Sequence, residues 1–121
     1  MLKVHLIFVT KYRKPLLSGD IKNDTKDYLR DAAIIAKSHI LCLETDKDHI
    51  HLLVEYPPSE SVSALAGWLK QYSTFHLWKK YYTKLKTEYW KKQVFWSDGY
   101  FACSIGQVSQ NTIEEYIKNQ G

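Results

Sequence analysis

The chain has 121 residues, which suits one domain, and 45% of them are hydrophobic, which is enough to build a core. No apolar run of about 18 residues occurs, so no membrane span is expected. The formal net charge is +4, and residues 67–93 alone contain seven lysines and one acid. This excess of positive charge favours a polyanionic partner such as nucleic acid, although a solvated helix face would have the same composition.

The first half of the chain predicts a strand, a helix and two more strands. β-Forming residues predict the first strand at 3–11, and Asp20 is the expected N-cap of a helix that runs to about Ser38. A strand at 39–45 follows, and after Asp46-Lys47 comes a strand that carries His49 and His51 and ends at Pro57-Pro58. The apolar positions of the helix recur at helical spacing: Thr25, Tyr28, Leu29, Ala32, Ala33 and Ala36.

The second half predicts two helices and two short strands. We expect a helix at 61–82 and an irregular or weakly helical stretch at 83–92. Two short strands are expected after it, at 94–96 and 100–105. Ser59 or Ser61 is expected to cap the first of these helices, and its apolar stripe comprises Val62, Leu65, Leu69, Tyr72 and His76. Asn111, with Glu114 three residues later, is typical of a capping box for a last helix to about Asn119. The order β-α-β-β-α-β plus a final helix predicts an α+β, ferredoxin-like fold, with an antiparallel sheet and helices on one face.

Two histidines two residues apart are the first candidates for chemistry. Side chains alternate faces along a strand, so His49 and His51 lie on one face, roughly 6.5–7 Å apart at Cα. Two imidazoles so placed can share a metal ion, although two ordinary polar positions would show the same spacing. Asp48 has the opposite parity and is expected to be a turn residue, and His5 is expected to be a satisfied structural histidine.

The last helix carries a second pair of candidates. Tyr116 and Gln120 are four residues apart, so they share one helical face and are separated by one turn. A tyrosine on an amphipathic helix usually belongs to the core, and spacing alone does not select this one among nine. The basic candidates for phosphate contacts are Lys11, Arg13, Lys14, Lys79, Lys80, Lys84 and Lys86. Cys42 and Cys103 lie in apolar strand-like runs, so buried free thiols and a cytoplasmic location are expected.

Several motifs, taken together in this order, resemble the single-tyrosine HUH transposases of the insertion-sequence 200/605 group. They are Lys11-Tyr12-Arg13-Lys14, Asp48-His49-Ile50-His51-Leu52-Leu53, Gly99-Tyr100-Phe101, Gly106 and Tyr116-Ile117-Lys118-Asn119-Gln120. The resemblance implies a small homodimeric enzyme that cuts and rejoins single-stranded DNA with hairpins at its element's ends. It also implies that the active site can combine the histidines of one subunit with the tyrosine of the other.

The resemblance also assigns the site residues. His49, His51 and Gln120 would hold a divalent metal, and Tyr116 would attack a phosphodiester and retain the 5′ phosphate. The resemblance implies Mg²⁺ or Mn²⁺, whereas ligand softness alone favours zinc or manganese. The alternatives are a non-catalytic or domesticated nucleic-acid-binding module on the same fold, and a relaxase-type nicking enzyme that shares the histidine pair.

Overall fold

A computed structural model of the protein describes residues 1–104 and 110–120, and gives only the backbone for residues 110–113. Its elements are, in chain order, β1 Leu2–Val9, a 3₁₀ turn Lys11–Arg13, α1 Gly19–Ile35, β2 His39–Thr45, β3 His49–Tyr56, α2 Val62–Lys80, α3 Tyr82–Glu88, β4 Phe101–Ser104 and α4 Gln110–Asn119. Among these described residues no helix combines the length and the apolar character that crossing a membrane requires.

The four strands form one antiparallel sheet in the order β2-β3-β1-β4. Two α-helices, α1 and α2, connect strands that are not hairpin partners, so the predicted ferredoxin-like fold is confirmed. In the central β1–β3 pair, Val9 lies opposite His49 and Ile7 lies opposite His51. This register fixes which hydrophobic residues lie beside the histidines.

The two faces of the sheet pack against different helices. Even-numbered residues of β1 and β3 are buried in the main core together with α1 and α2: Val4, Leu6, Phe8, Ile50, Leu52 and Val54. Full burial of one such side chain contributes about 1.5–3 kcal/mol. On the opposite face, Ile7 and Val9 pack against Ile117 of α4, with Phe101 and Tyr116 beside them. We call this second side the α4 face, and it is the face on which the odd-numbered histidines of β3 lie.

Three predicted boundaries in β1 and α1 are wrong. The residue preceding α1 is Ser18 rather than Asp20, because Gly19 adopts φ +57°, which glycine tolerates without steric cost, and turns the chain into the helix. The helix ends at Ile35 rather than Ser38, and Lys37 has φ 57° just beyond it. Strand β1 ends at Val9 rather than at residue 11, because residues 11–13 form the 3₁₀ turn.

Residues 94–96 do not form the predicted strand, and Trp96 makes an isolated bridge to Thr10. The backbone groups of this segment bond elsewhere: Val94 O accepts from Trp78 Nε1, and Phe95 O accepts from the Lys11 N–H. The side chains of Phe95 and Trp96 are buried in the main core. The β-forming composition of the segment therefore reflects its burial rather than a ladder of strand hydrogen bonds.

The last two predicted segments extend beyond the described residues. Strand β4 covers 101–104 of the predicted 100–105, and residue 105 lies outside the described residues. Helix α4 ends at Asn119 as predicted but begins at Gln110, so the expected cap Asn111 lies within the helix, and its side chain is outside the described part of the structure. Ser61 is the N-cap of α2, since its Oγ accepts from the Ala64 N–H, and the helix ends at Lys80 rather than Tyr82.

The apolar stripe of α2 and the state of the cysteines also differ from expectation. Leu65 and Leu69 are buried as predicted, but the stripe continues through Ser73 and Leu77. Ser73 tolerates burial because its hydroxyl donates to the Leu69 carbonyl and accepts from Trp96 Nε1. The predicted Val62, Tyr72 and His76 are only partly buried. Cys42 is exposed, because β2 is an edge strand with a bulge beside it, and Cys103 is half-buried, so the prediction of two buried thiols is wrong.

Candidate functional site

His49 lies at the start of β3 and is oriented by the residue before it. Its Nδ1 lies 2.9 Å from Asp48 Oδ1, and Arg13 Nε donates to Asp48 Oδ2 at 3.2 Å. Burial alone would raise the pKa of Asp48, but the hydrogen bonds from His49 and Arg13 outweigh it and hold the pKa below its usual value. The ionised carboxylate can only accept, so Nδ1 of His49 carries a proton, and in the neutral imidazole Nε2 then keeps its lone pair.

His51 lies two residues further along β3, on the same face, and contacts His5. His5 Nδ1 lies 2.9 Å from His51 Nε2, and the two rings are tilted with their centroids 5.0 Å apart. Burial lowers the pKa of His51, and repulsion from a protonated His5 would lower it further, so the neutral imidazole of His51 is favoured. When His51 Nε2 donates to His5, Nδ1 of His51 retains a lone pair.

Tyr116 and Gln120 lie side by side at the edge of the same face. A methyl group added at Gly99 would lie 3.8 Å from both Tyr116 Oη and Gln120 Oε1, so the glycine leaves space beside both polar groups. Tyr116 Oη is buried and has no hydrogen-bond partner among the described residues. Burial raises the pKa of Tyr116 to about 12. A buried hydroxyl without a partner is costly to the fold, which is typical of a group kept for function.

Lys70 of α2 also belongs to this site, although the sequence indicated it only as one lysine of a basic stretch. Its ammonium group donates to the carbonyls of Ser97, Asp98 and Gly99 at 2.6, 3.0 and 3.0 Å. Burial lowers the pKa of Lys70. These bonds fix the backbone of the loop that ends at Gly99. Because Tyr116 and Gln120 lie beside Gly99, the bonds also fix the surface that these two side chains face. Its position on α2, between Leu69 and the polar Gln71, is the only sequence signal that marks it.

The predicted basic residues divide into two groups. Four form ion pairs with carboxylates of the protein: Lys11 with Asp98, Arg13 with Asp48, Lys14 with Glu88 and Lys80 with Asp24. The remaining three lie on the surface at the ends of α2 and α3: Lys79, Lys84 and Lys86. Arg13 therefore supports Asp48, a role that its position in a basic motif did not indicate.

Comparison with known proteins places this geometry in a family. Residues 1–120 match the family described as Transposase IS200 like. The chain belongs to the IS200-like transposases. The transposase for insertion sequence element IS200 of Salmonella typhimurium LT2 is 35% identical over 118 residues, covering 98% of this chain and 76% of that protein. The ISDra2 transposase TnpA of Deinococcus radiodurans is 29% identical over 119 residues, covering 98% and 84%.

Two solved structures share the fold of this IS200-like transposase. A Deinococcus radiodurans R1 protein that carries a provisional transposase assignment superposes with a TM-score of 0.89 at 29% identity, covering 98% of this chain and 90% of that chain. A REP-associated tyrosine transposase bound to a REP hairpin has a TM-score of 0.61 at 10% identity, covering 98% and 64%. At that identity, the second likeness concerns the fold alone.

The residues of this IS200-like transposase fit a divalent metal in their donor chemistry. In residues 1–104 and 110–120, no three His, Cys, Asp or Glu side chains come together as ligands. The set that the sequence predicts consists of two imidazoles and the amide oxygen of Gln120, which lies beside Gly99. The contact between His49 and Asp48 is the carboxylate–histidine arrangement that fixes the tautomer of metal ligands.

Proposed function

We propose that the protein cleaves and rejoins single-stranded DNA with Tyr116 as the nucleophile and a 5′-phosphotyrosine intermediate. The observation that carries this proposal is the buried Oη of Tyr116, which has no partner among the described residues and lies, like Gln120 Oε1, 3.8 Å from the position that a Cβ at Gly99 would occupy. The helix that carries Tyr116 packs on the face of the sheet that bears His49 and His51. Membership of the IS200-like transposases supports the same reaction class.

The reaction follows from the chemistry of a buried phenol. Tyr116 Oη forms a bond to phosphorus, the bond from phosphorus to the 3′ oxygen breaks, and the phenol proton leaves as the 3′ oxygen becomes a hydroxyl. Attack by the 3′ hydroxyl of another DNA end reverses these changes and restores the tyrosine. Because the pKa of Tyr116 is raised to about 12, the phenolate is scarce at neutral pH and the phenol must lose its proton during attack.

A divalent metal, Mg²⁺ or Mn²⁺, is part of the proposal, with His49, His51 and Gln120 as its ligands. When bound, the metal supplies charge neutralisation and orientation for the phosphate oxygens. Asp48 accepts the hydrogen bond from His49 Nδ1–H, and His5 Nδ1 can accept a hydrogen bond from His51 Nε2–H. Both contacts are compatible with neutral tautomers that leave a nitrogen lone pair for a ligand bond.

We propose DNA hairpins at the ends of the element as the binding partner, a homodimer as the assembly and the cytoplasm as the location. Exposed Lys79, Lys84 and Lys86 are suited to phosphate contacts, and the hairpin-bound transposase has the same fold. The free cysteines are compatible with a reducing compartment. The monomer docks α4 on its own sheet, and exchange of this terminal helix between subunits would give composite active sites.

The decisive experiment is incubation with labelled single-stranded DNA from the element's ends in the presence of Mg²⁺ or Mn²⁺. We expect a covalent adduct, with mass spectrometry placing the nucleotide on the Tyr116 peptide. Tyr116→Phe removes only the hydroxyl and is the matched control, which should bind DNA and form no adduct. An adduct on Tyr12 or Tyr100 would refute the assignment. DNA binding without any adduct would instead favour the non-catalytic binding module.

A further inference from the structure

A cleft of about 500 Å³ lies between the 3₁₀ turn after β1 and the segment after α3. Its size is within the range of ordinary small-molecule pockets. Two large aromatic side chains in its lining are exposed to solvent, Tyr12 by 64% and Trp90 by 75%. Four lysines and two carboxylates complete its charged lining: Lys11, Lys14, Lys91, Lys92, Glu88 and Asp98. We call this feature the Tyr12–Trp90 cleft.

The turn that presents Tyr12 is held in an unusual conformation. Tyr12 and Arg13 have φ values of 60° and 53°, so two consecutive non-glycine residues lie in the left-handed region. The surrounding structure fixes them: buried Tyr89 donates from Oη to the Lys11 carbonyl at 2.7 Å, and Thr10 Oγ1 donates to the Lys14 carbonyl at 2.7 Å. Such conformations persist where neighbouring contacts over-determine them. The hydrogen bonds of the folded chain therefore fix the backbone that presents the Tyr12 ring to solvent.

Each exposed ring has an ammonium group beside it. Lys11 Nζ lies 5.4 Å from the centroid of the Tyr12 ring, and Lys91 Nζ lies 5.2 Å from the centroid of the Trp90 ring. Tyr89, whose ring lies 6.4 Å from that of Tyr12, lines the same cleft. An aromatic face next to a cation matches a nucleotide of single-stranded DNA, since the base can stack while the phosphate is neutralised.

The cleft is continuous with the proposed reaction site. It shares Lys11, Tyr12 and Asp98 with a smaller cavity of about 190 Å³, which Gly99 and Gln120 also line. The same Gly99 lies next to Tyr116 Oη. A DNA strand with one phosphate at Tyr116 would thus have the Tyr12–Trp90 cleft within reach of its neighbouring nucleotides.

We propose that the Tyr12–Trp90 cleft binds an unpaired nucleobase of the DNA strand next to the phosphate that is cleaved. The base stacks on the exposed rings, and Lys91 and Lys92 contact the adjoining backbone. This inference rests on the proposed function and names a subsite of it. Stacking accepts every base, so the cleft distinguishes single-stranded from paired DNA and contributes little to sequence preference.

The test compares two labelled probes in a Tyr116→Phe background, where binding is measured without cleavage. One probe is a single strand of about 12 deoxythymidines, within the usual site size of single-strand binders, and the other is the same backbone without bases. We expect the protein to prefer the first probe. Trp90→Ala should weaken its binding about 5- to 150-fold, the equivalent of ~1–3 kcal/mol for one base–aromatic stack, and leave binding of the abasic strand unchanged.

Three controls make the result specific. Trp90→Phe keeps a ring and should retain part of the preference, whereas replacing Lys91 and Lys92 by Ala should weaken both probes alike. Phe75 is 62% exposed on α2 outside the cleft, so Phe75→Ala should change neither. Because Trp90 is mostly exposed, its replacement removes little packing, and circular dichroism should show an unchanged fold.

The outcomes separate this inference from the proposed function. Equal binding of both probes, or a preference that survives Trp90→Ala, overturns the inference even when the wild-type chain cleaves DNA from the element's ends. A Trp90-dependent preference in a protein that forms no tyrosine adduct supports the cleft and refutes the catalytic proposal. Failure of the Tyr116→Phe protein to bind either probe overturns the inference, whereas the adduct experiment with DNA from the element's ends decides the proposed function by itself.

Discussion

Replacement of Lys70 by Met tests whether the loop at Gly99 positions the nucleophile. The variant keeps a long apolar side chain but loses the ammonium that donates to the carbonyls of Ser97, Asp98 and Gly99 at 2.6–3.0 Å. Hydrogen bonds to a charged group contribute about 1.5–3 kcal/mol each, and three bonds that share one donor do not add in full. Burial of the ammonium, which lowers the pKa of Lys70, offsets part of the gain. We expect the free energy of unfolding to fall by about 2–3 kcal/mol.

The effect on DNA cleavage should exceed the effect on DNA binding. Release of the loop lets Gly99 move relative to Tyr116 Oη and Gln120 Oε1, and a displacement of about 1 Å in a reaction site can cost about 100-fold in rate. Lys70 donates its bonds to the protein's own backbone, so we expect a kcat loss of about 100-fold with little change in KM for single-stranded DNA.

The assay is single-turnover and steady-state cleavage of labelled DNA, at a temperature where circular dichroism shows every variant folded. Lys70→Arg, which retains a charged multiple donor, should recover part of kcat. Lys26→Met, which removes a lysine charge from α1, is the control for net charge and should cleave normally. A Lys70→Met protein with wild-type kcat, or one that loses only KM, would refute the reasoning.

Three further predictions concern pH, salt and assembly. The pKa of His51 in the folded protein is below the unfolded value of 6.5, so the unfolded chain takes up the proton first on acidification. The free energy of unfolding should therefore fall as the pH drops through about 6.5, and His51→Gln should weaken this dependence. Thermal unfolding measured from about pH 8 to about pH 5.5 checks both. DNA affinity should fall with salt at a slope near −0.7 per contacted phosphate on single strands. Replacing the exposed Lys79 and Lys84 together by Ala should weaken binding of all sequences alike in fluorescence anisotropy, and a flat salt response would mean that these lysines are only solvated. His51→Ala and Tyr116→Phe proteins should each be inactive when alone. Cleavage should return after subunit exchange, because a composite site takes its histidines from one subunit and its tyrosine from the other. Verified heterodimers that remain inactive would rule out composite sites for cleavage.

The sequence by itself determined those features that depend on local periodicity. Alternation along a strand puts His49 and His51 on one face, and a spacing of four puts Tyr116 beside Gln120, as their common approach to Gly99 shows. The order of elements and the ferredoxin-like sheet also followed from pattern. The same reasoning failed at residues 94–96, because a buried loop and a strand have the same apolar composition.

Only the tertiary structure decided which partners these side chains acquire. His5 meets His51 across 46 residues, Arg13 meets Asp48 across 35, and Lys70 reaches the loop before β4 across 27–29. The packing of α4 on Ile7 and Val9 likewise depends on sheet register rather than on helical pattern. Periodicity specifies the face on which a side chain lies, but chain segments distant in sequence bring the groups that pack opposite that face. The tautomer of His49, the burial of Tyr116 and the Tyr12–Trp90 cleft are therefore decided only in the folded molecule.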